Sequence, residues 1–201
     1  MMSAATAELA AAAARLVVEE GMEYAQAKRK AARAEGSRAS LPSNEAVEDE
    51  VRAYLALYCI DTQPAELRAL RLLALRWMLR LAAFRPHLGG AAWRGTATRL
   101  SSLHLDLYCD DPKAMEIALI NLGIAYDSAS LPAGHRGEPV NLLTMADACA
   151  ELDETVTLHL AVRDLDDLRG ALKPDASGHT WRGDATALRR LLAEVGGQGH
   201  G

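Results

Sequence analysis

The chain has 201 residues, 50% of them hydrophobic, and a formal net charge of -5; this describes a globular protein of one or two domains. No run approaches the roughly 20 apolar residues that a membrane-spanning helix needs, and an aromatic content of 4% offers few platforms on which single-stranded nucleic acid could stack. The charge is uneven: residues 1–85 carry 12 basic and 11 acidic side chains, whereas residues 86–201 carry 10 and 16, so a phosphate backbone would be met only by the N-terminal half.

Cys59, Cys109 and Cys149 are odd in number and widely spaced, which fits free thiols in a reducing compartment, each packed as a small core residue. The alanine-rich start lacks a basic flank and is interrupted by Glu8, so a cytoplasmic location is expected. The high content of alanine, arginine and leucine points to a GC-rich bacterial genome.

Residues 4–20 read as a helix, with Leu9, Ala13, Leu16 and Val17 at helical spacing and Gly21 as its stop. Residues 22–35 form a second helix carrying Lys28, Arg29, Lys30 and Arg33. Ser43 or Asn44 caps a third, with Glu45, Glu48 and Asp49 near its positive end; it runs to about Cys59. A fourth opens at Asp61 or Thr62 with Pro64 in its first turn. Leu67, Leu70, Leu73, Ala74, Trp77, Met78, Leu81 and Phe84 give it one apolar face, and Arg68, Arg71, Arg76, Arg80 and Arg85 a charged one. That arginine stripe reads as a solvated face or, alternatively, as one turned toward a triphosphate.

After Pro86 the texture changes to short apolar or alternating runs between glycine and proline turns. The expected organisation is α+β (α/β): a helical region of about four helices over 1–85, then a small mixed β-sheet domain with flanking helices over 86–201. Strands are expected at 90–93, 103–109, 124–129, 140–145 and 155–162. Helices are expected at 112–122, 165–172 and 185–194, a hairpin loop at 132–139 and a frayed tail at 196–201.

The run Gly95-Thr96-Ala97-Thr98-Arg99-Leu100-Ser101-Ser102-Leu103-His104-Leu105-Asp106-Leu107 carries the most chemistry. Alternation places Leu103, Leu105 and Leu107 on one face and Ser102, His104, Asp106 and Tyr108 on the other, a core side and a polar side. Gly95-Thr96 is either an ordinary turn or a phosphate cradle. His104 and His159 are either polar side chains of a half-open sheet or, with Asp106, two imidazoles and a carboxylate suited to a softer metal than magnesium.

This run resembles the signature of the polymerase-β-type nucleotidyltransferase superfamily, in which a Gly-Ser turn precedes a strand bearing Asp-x-Asp. The resemblance implies a nucleotidyltransferase-like core over about residues 86–165 that binds an NTP with Mg2+ or Mn2+. Those cations bridge the transferring phosphate and the attacking and leaving oxygens. Gly95 and Thr96 stand for Gly-Ser, and Ser102-Leu103-His104 for Asp-x-Asp. The strand therefore keeps one carboxylate, Asp106, two residues farther along the same face.

The resemblance assigns the metal to Asp106 and Asp127, with His104 and His159 as further ligands, and catalysis to Asp106, Asp127 and His104. Nucleotide contacts fall to Gly95, Thr96, Ser102 and Lys173, with Lys173 or an arginine opposing developing charge. With serine and histidine in place of carboxylates, transfer is either divergent or lost. Two other readings stand beside this one. Small nucleotidyltransferase-like chains occur in toxin–antitoxin pairs, which implies a protein partner or a homo-oligomer. Residues 11–37 also resemble the opening of TetR-type helix-turn-helix repressors, but acidic residues 45–50 follow where a recognition helix should enter DNA.

Overall fold

The computed structural model describes residues 3–36, 40–131, 139–171, 173 and 180–197. They form two compact units, one of residues up to Leu67 with Thr96–Ser101, the other of Arg68–Gly95 and the described residues from Ser102 onward. The division falls inside a helix, ahead of the change of sequence texture at Pro86.

The first unit is helical: α1 (Ala4–Glu20), α2 (Tyr24–Ala34), α3 (Asn44–Tyr58) and the start of α4 (Gln63–Arg80). Ser3 caps α1 by accepting from the Thr6 amide, and Ser43 caps α3 by accepting from Ala46; such caps satisfy amides left orphaned in a first turn. α1 packs on α2 and α3 through Leu9, Ala10, Ala13 and Val17 against Ala27, Ala31, Val47, Val51 and Leu55. Alanine at many of these contacts lets the helices approach closely, and the leucine and valines supply most of the drive, about 1.5–3 kcal/mol per fully buried side chain. Gly21 ends α1 at φ +66, and a Cβ there would stand 2.6 Å from the Leu100 carbonyl oxygen. Both its conformation and its space thus require glycine. Two cations of the α2 cluster serve the fold: Lys28 donates to Pro42 O and Asn44, and Lys30 pairs with Glu20.

The second unit holds most of α4, then β1 (His87–Gly89), α5 (Gly90–Arg94), β2 (Leu103–Tyr108), α6 (Pro112–Asn121), β3 (Asp127–Leu131), β4 (Val140–Cys149), β5 (Glu154–Arg163), α7 (Leu168–Ala171) and α8 (Ala185–Gly197). The sheet order is β1-β2-β5-β4-β3; β2 and β5 are parallel and the other pairs antiparallel. Leu103, Leu105, Leu107, Leu143, Met145, Leu158, Leu160 and Val162 are buried on one side of it, as alternation requires. On that side α4 is anchored to β4, with Trp77 Nε1 and Arg76 donating to Asp147 at 2.7 and 3.0 Å.

Several expectations are corrected. Residues 90–93 form a helix, not a strand, and the strand is the preceding His87–Gly89. Gly90, at φ +65, breaks the extended path, and Gly95, at φ +87, closes the single turn that follows. The strand expected at 124–129 begins later, at Asp127, and the helix expected at 165–172 is a 3-10 turn, Leu165–Asp167, followed by the short α7. Arg71 leaves the arginine stripe: it is buried and donates to Ala92 O and Trp93 O at 2.9 and 3.1 Å. All three cysteines are free, but only Cys149 is buried; Cys59 and Cys109 are half-buried. The loop expected at 132–139 falls outside the described residues except for Pro139, as does the tail beyond Gly197.

Candidate functional site

The side of the sheet opposite the leucine core carries the polar residues. Registers align Asp127 with Thr144, Thr144 with His159, and His159 with His104. One row thus crosses four strands. His104 and His159 stack with ring centres 5.0 Å apart and planes inclined by 29°, and the Thr144 hydroxyl lies 3.1 Å from His159 Nδ1. At the β1 end of the row stands Gly89, and at Gly90 a Cβ would meet the His104 ring at 3.1 Å. Gly90 is therefore the glycine that lets backbone close over the polar strand. The sequence reading missed it by choosing Gly95-Thr96, although the doubled Gly89-Gly90 is itself a turn signal.

The next row aligns His87 with Asp106 and Asp106 with Ala161. Asp106 Oδ1 accepts from Arg163 Nε at 2.5 Å and Oδ2 pairs with Arg182 Nη1 at 2.6 Å. Arg182 also donates to the Tyr108 hydroxyl at 3.2 Å. Burial pulls the Arg182 pKa down, but the Asp106 charge and the Tyr108 bond outweigh it and leave it raised. The Asp106 side chain is 13% exposed, and the guanidinium-bearing side chains of Arg163 and Arg182 are 30% and 28% exposed. Outward charge here is cationic, with the carboxylate set behind it.

The other residues singled out in the sequence are dispersed. Asp127 is exposed on the edge strand β3. Thr96 is buried, its hydroxyl without a hydrogen-bond partner among the described residues. Gly95 closes α5 near the Arg71 guanidinium. Ser102 is half-buried just before β2, and Lys173 is exposed past the end of α7. Arg163 and Arg182, which dominate the charge of the face, were not singled out. Alternation along β5 places Arg163 on the same face as His159, beyond Ala161, whereas nothing local points Arg182 at Asp106.

This donor set does not fit a magnesium or manganese pair. Hard cations need carboxylate oxygens free to converge on them, and both Asp106 oxygens are spent on guanidinium groups while Asp127 sits on the far edge strand. Among the described residues no three His, Cys, Asp or Glu side chains gather as a metal site, so His104, Asp106 and His159 do not form a site for a softer metal either.

Fold and face together define a mixed α/β protein with one helix-covered and one polar sheet surface. No family model matches the chain, and no curated protein sequence does. Among solved structures it is similar to Cid1 poly(U) polymerase with MgGTP bound, at TM-score 0.36 and 14% identity over 57% of this chain and 38% of that one. It is also similar to Cid1 in complex with the UTP analog UMPNPP, at TM-score 0.35 and 14% identity over 58% of this chain and 36% of that one. The chain thus spans well under half the length of these solved chains. No helix of the described residues is long and apolar enough to cross a membrane.

Proposed function

We propose that this chain is a nucleotidyltransferase-like protein in which nucleotidyl transfer is lost and the phosphates of an NTP are met by arginine and histidine without a divalent metal. The observation that carries the reading is the Arg163–Asp106–Arg182 network on β2 and β5. Two guanidinium groups around one carboxylate leave a net positive charge, and arginine forks suit phosphate oxygens. His104 and His159 border the network on the same face, one register row away. Asp106 then orients the arginines, and the stacked imidazoles add ring hydrogen-bonding groups to the same face.

The test is calorimetric titration with ATP, GTP, CTP and UTP, in EDTA and again in magnesium, beside an assay for transfer of labelled nucleotide. Expected are binding that persists in EDTA, weakens by about tenfold or more in Arg163→Ala, and yields no transfer. Magnesium-dependent transfer that is lost in Asp106→Asn would make the chain an active enzyme. The absence of NTP binding in either buffer would remove the nucleotide from the reading altogether.

A further inference from the structure

The side of the sheet that carries the arginines is not polar throughout. The row that holds Asp106 continues through Ala161 on β5, Leu142 on β4 and Ala129 on β3. Residues paired across strands share a face, so these three apolar side chains lie on the same side as Asp106. None of them is buried: Ala161 and Leu142 are half-buried and Ala129 is exposed.

The surroundings of this apolar row differ from end to end. At its β2 end stands Asp106 with the Arg163 and Arg182 guanidinium groups bonded to its two oxygens. Along one flank are His159 and Thr144, each two residues from the row on its own strand, with the Thr144 hydroxyl 3.1 Å from His159 Nδ1. Neighbouring strands lie about 4.8 Å apart, so Leu142, two strands from Asp106, stands about 9.6 Å from it. Phosphates held over Asp106 are thus separated from a ring lying on Leu142 by the length that a ribose and its phosphate linkages span.

We propose that Ala161, Leu142 and Ala129 are the base platform of the nucleotide site and that the platform takes a purine. The proposal rests on the reading of Arg163 and Arg182 as phosphate ligands and supplies the nucleoside half of the same site. A flat ring on apolar side chains gains in proportion to the area it covers. Three strands present about 9.6 Å of platform, room for a fused two-ring base, whereas a single pyrimidine ring covers less of it. Alanine on either side of Leu142 leaves the surface low enough for a ring to lie flat. The edge of the base meets Thr144, whose hydroxyl both donates and accepts, so adenine and guanine are both served. An uncharged peptide laid on the same row would leave the two guanidinium groups unmatched. That charge at the end of an apolar row is why the occupant is a nucleotide.

The experiment is calorimetric titration of the full chain in EDTA at physiological salt with ATP, GTP, CTP and UTP, which carry the same charge, and with inorganic tripolyphosphate, which has no base. Expected is binding of ATP and GTP at least about fivefold tighter than of CTP and UTP. In Leu142→Ser the purine advantage should fall below about twofold while tripolyphosphate affinity stays within about twofold, which also shows that the variant is folded. Ala129→Asp is a second variant at an exposed position; its carboxylate, about 14 Å from Asp106, lies beyond a Debye length of about 8 Å and should weaken the purines and spare tripolyphosphate. Equal affinity for all four nucleotides overturns the platform and leaves the phosphate reading standing. A pyrimidine preference, or a purine advantage that survives in both variants, overturns it as well by placing the base elsewhere. Failure of both tripolyphosphate and the nucleotides to bind overturns the phosphate reading and the platform with it.

Discussion

At the scale of single residues, His87 is the group whose charge the fold resists. It is buried on β1, edge-on to Tyr108 with ring centres 5.3 Å apart, and its Nδ1 lies 2.8 Å from Arg85 O. A carbonyl only accepts, so Nδ1 carries the proton and donates it. Burial pushes the His87 pKa below its ordinary value, and the Arg85 carbonyl and the charges of Asp184 and Asp106 only partly restore it. Because the folded value lies below the unfolded one, the unfolded chain takes up a proton first as pH falls. The contribution of His87 is therefore complete above an unfolded pKa of about 6.5 and is lost as pH drops through the folded value. The urea midpoint should fall between about pH 7.5 and pH 5. In His87→Asn, whose amide can still donate to Arg85 O, the same profile should be flatter. Parallel profiles would assign the acid sensitivity to other groups.

At the scale of elements, the segment leading into α8 is tied to β1 by a contact that admits only glycine. Leu88 and Gly183 exchange backbone hydrogen bonds at 2.8 and 3.0 Å, and a Cβ on Gly183 would lie 2.0 Å from the Trp93 ring. Trp93 is held from its other end by donating to Thr180 O at 2.8 Å, so the ring has little room to retreat. Gly183→Ala should cost about 1–3 kcal/mol, the usual range for overpacking, and quench or shift tryptophan emission; an unchanged urea midpoint would show that the ring moves freely. Nothing in the sequence foretold this contact, since Trp93 and Gly183 are remote along the chain. The elements themselves were more legible. Ser43 and Pro64 marked helix starts, and alternation marked β2 and β5, because those signals act within a few residues. Residues 90–93 misled because a short apolar run reads as strand or helix alike until its glycines adopt positive φ. The candidate site was half legible for the same reason: the strand pattern put His104 and Asp106 on one face, but Arg163 lies 57 residues beyond Asp106.

At the scale of the whole molecule, the path of the chain couples the two units covalently. α4 begins in the helical unit and ends in the sheet unit, and Thr96–Ser101 leaves the sheet unit to join the helical one before β2 returns. Within the helical unit that excursion is fixed by Gln63 donating to Ala97 O at 2.8 Å and by the Arg99 amide donating to Glu66 at 2.9 Å. Unfolding the helical unit thus releases both ends of the α5–β2 connection and frays the first turn of α4. A unit whose boundary helix has lost its first turn is short of the packing it needs, since helical stability comes mainly from a packed face rather than from propensity. The expected behaviour is one cooperative transition. The chain is well placed to test this, because Trp77, Trp93 and Trp181 all belong to the sheet unit whereas α1, α2 and α3 all belong to the helical one. Tryptophan fluorescence and circular dichroism at the helix band should therefore trace coincident urea curves. A dichroism loss that precedes the fluorescence change would mean that the helical unit melts by itself, and that the three crossings of the chain between the units transmit too little strain to bind them into one folding event.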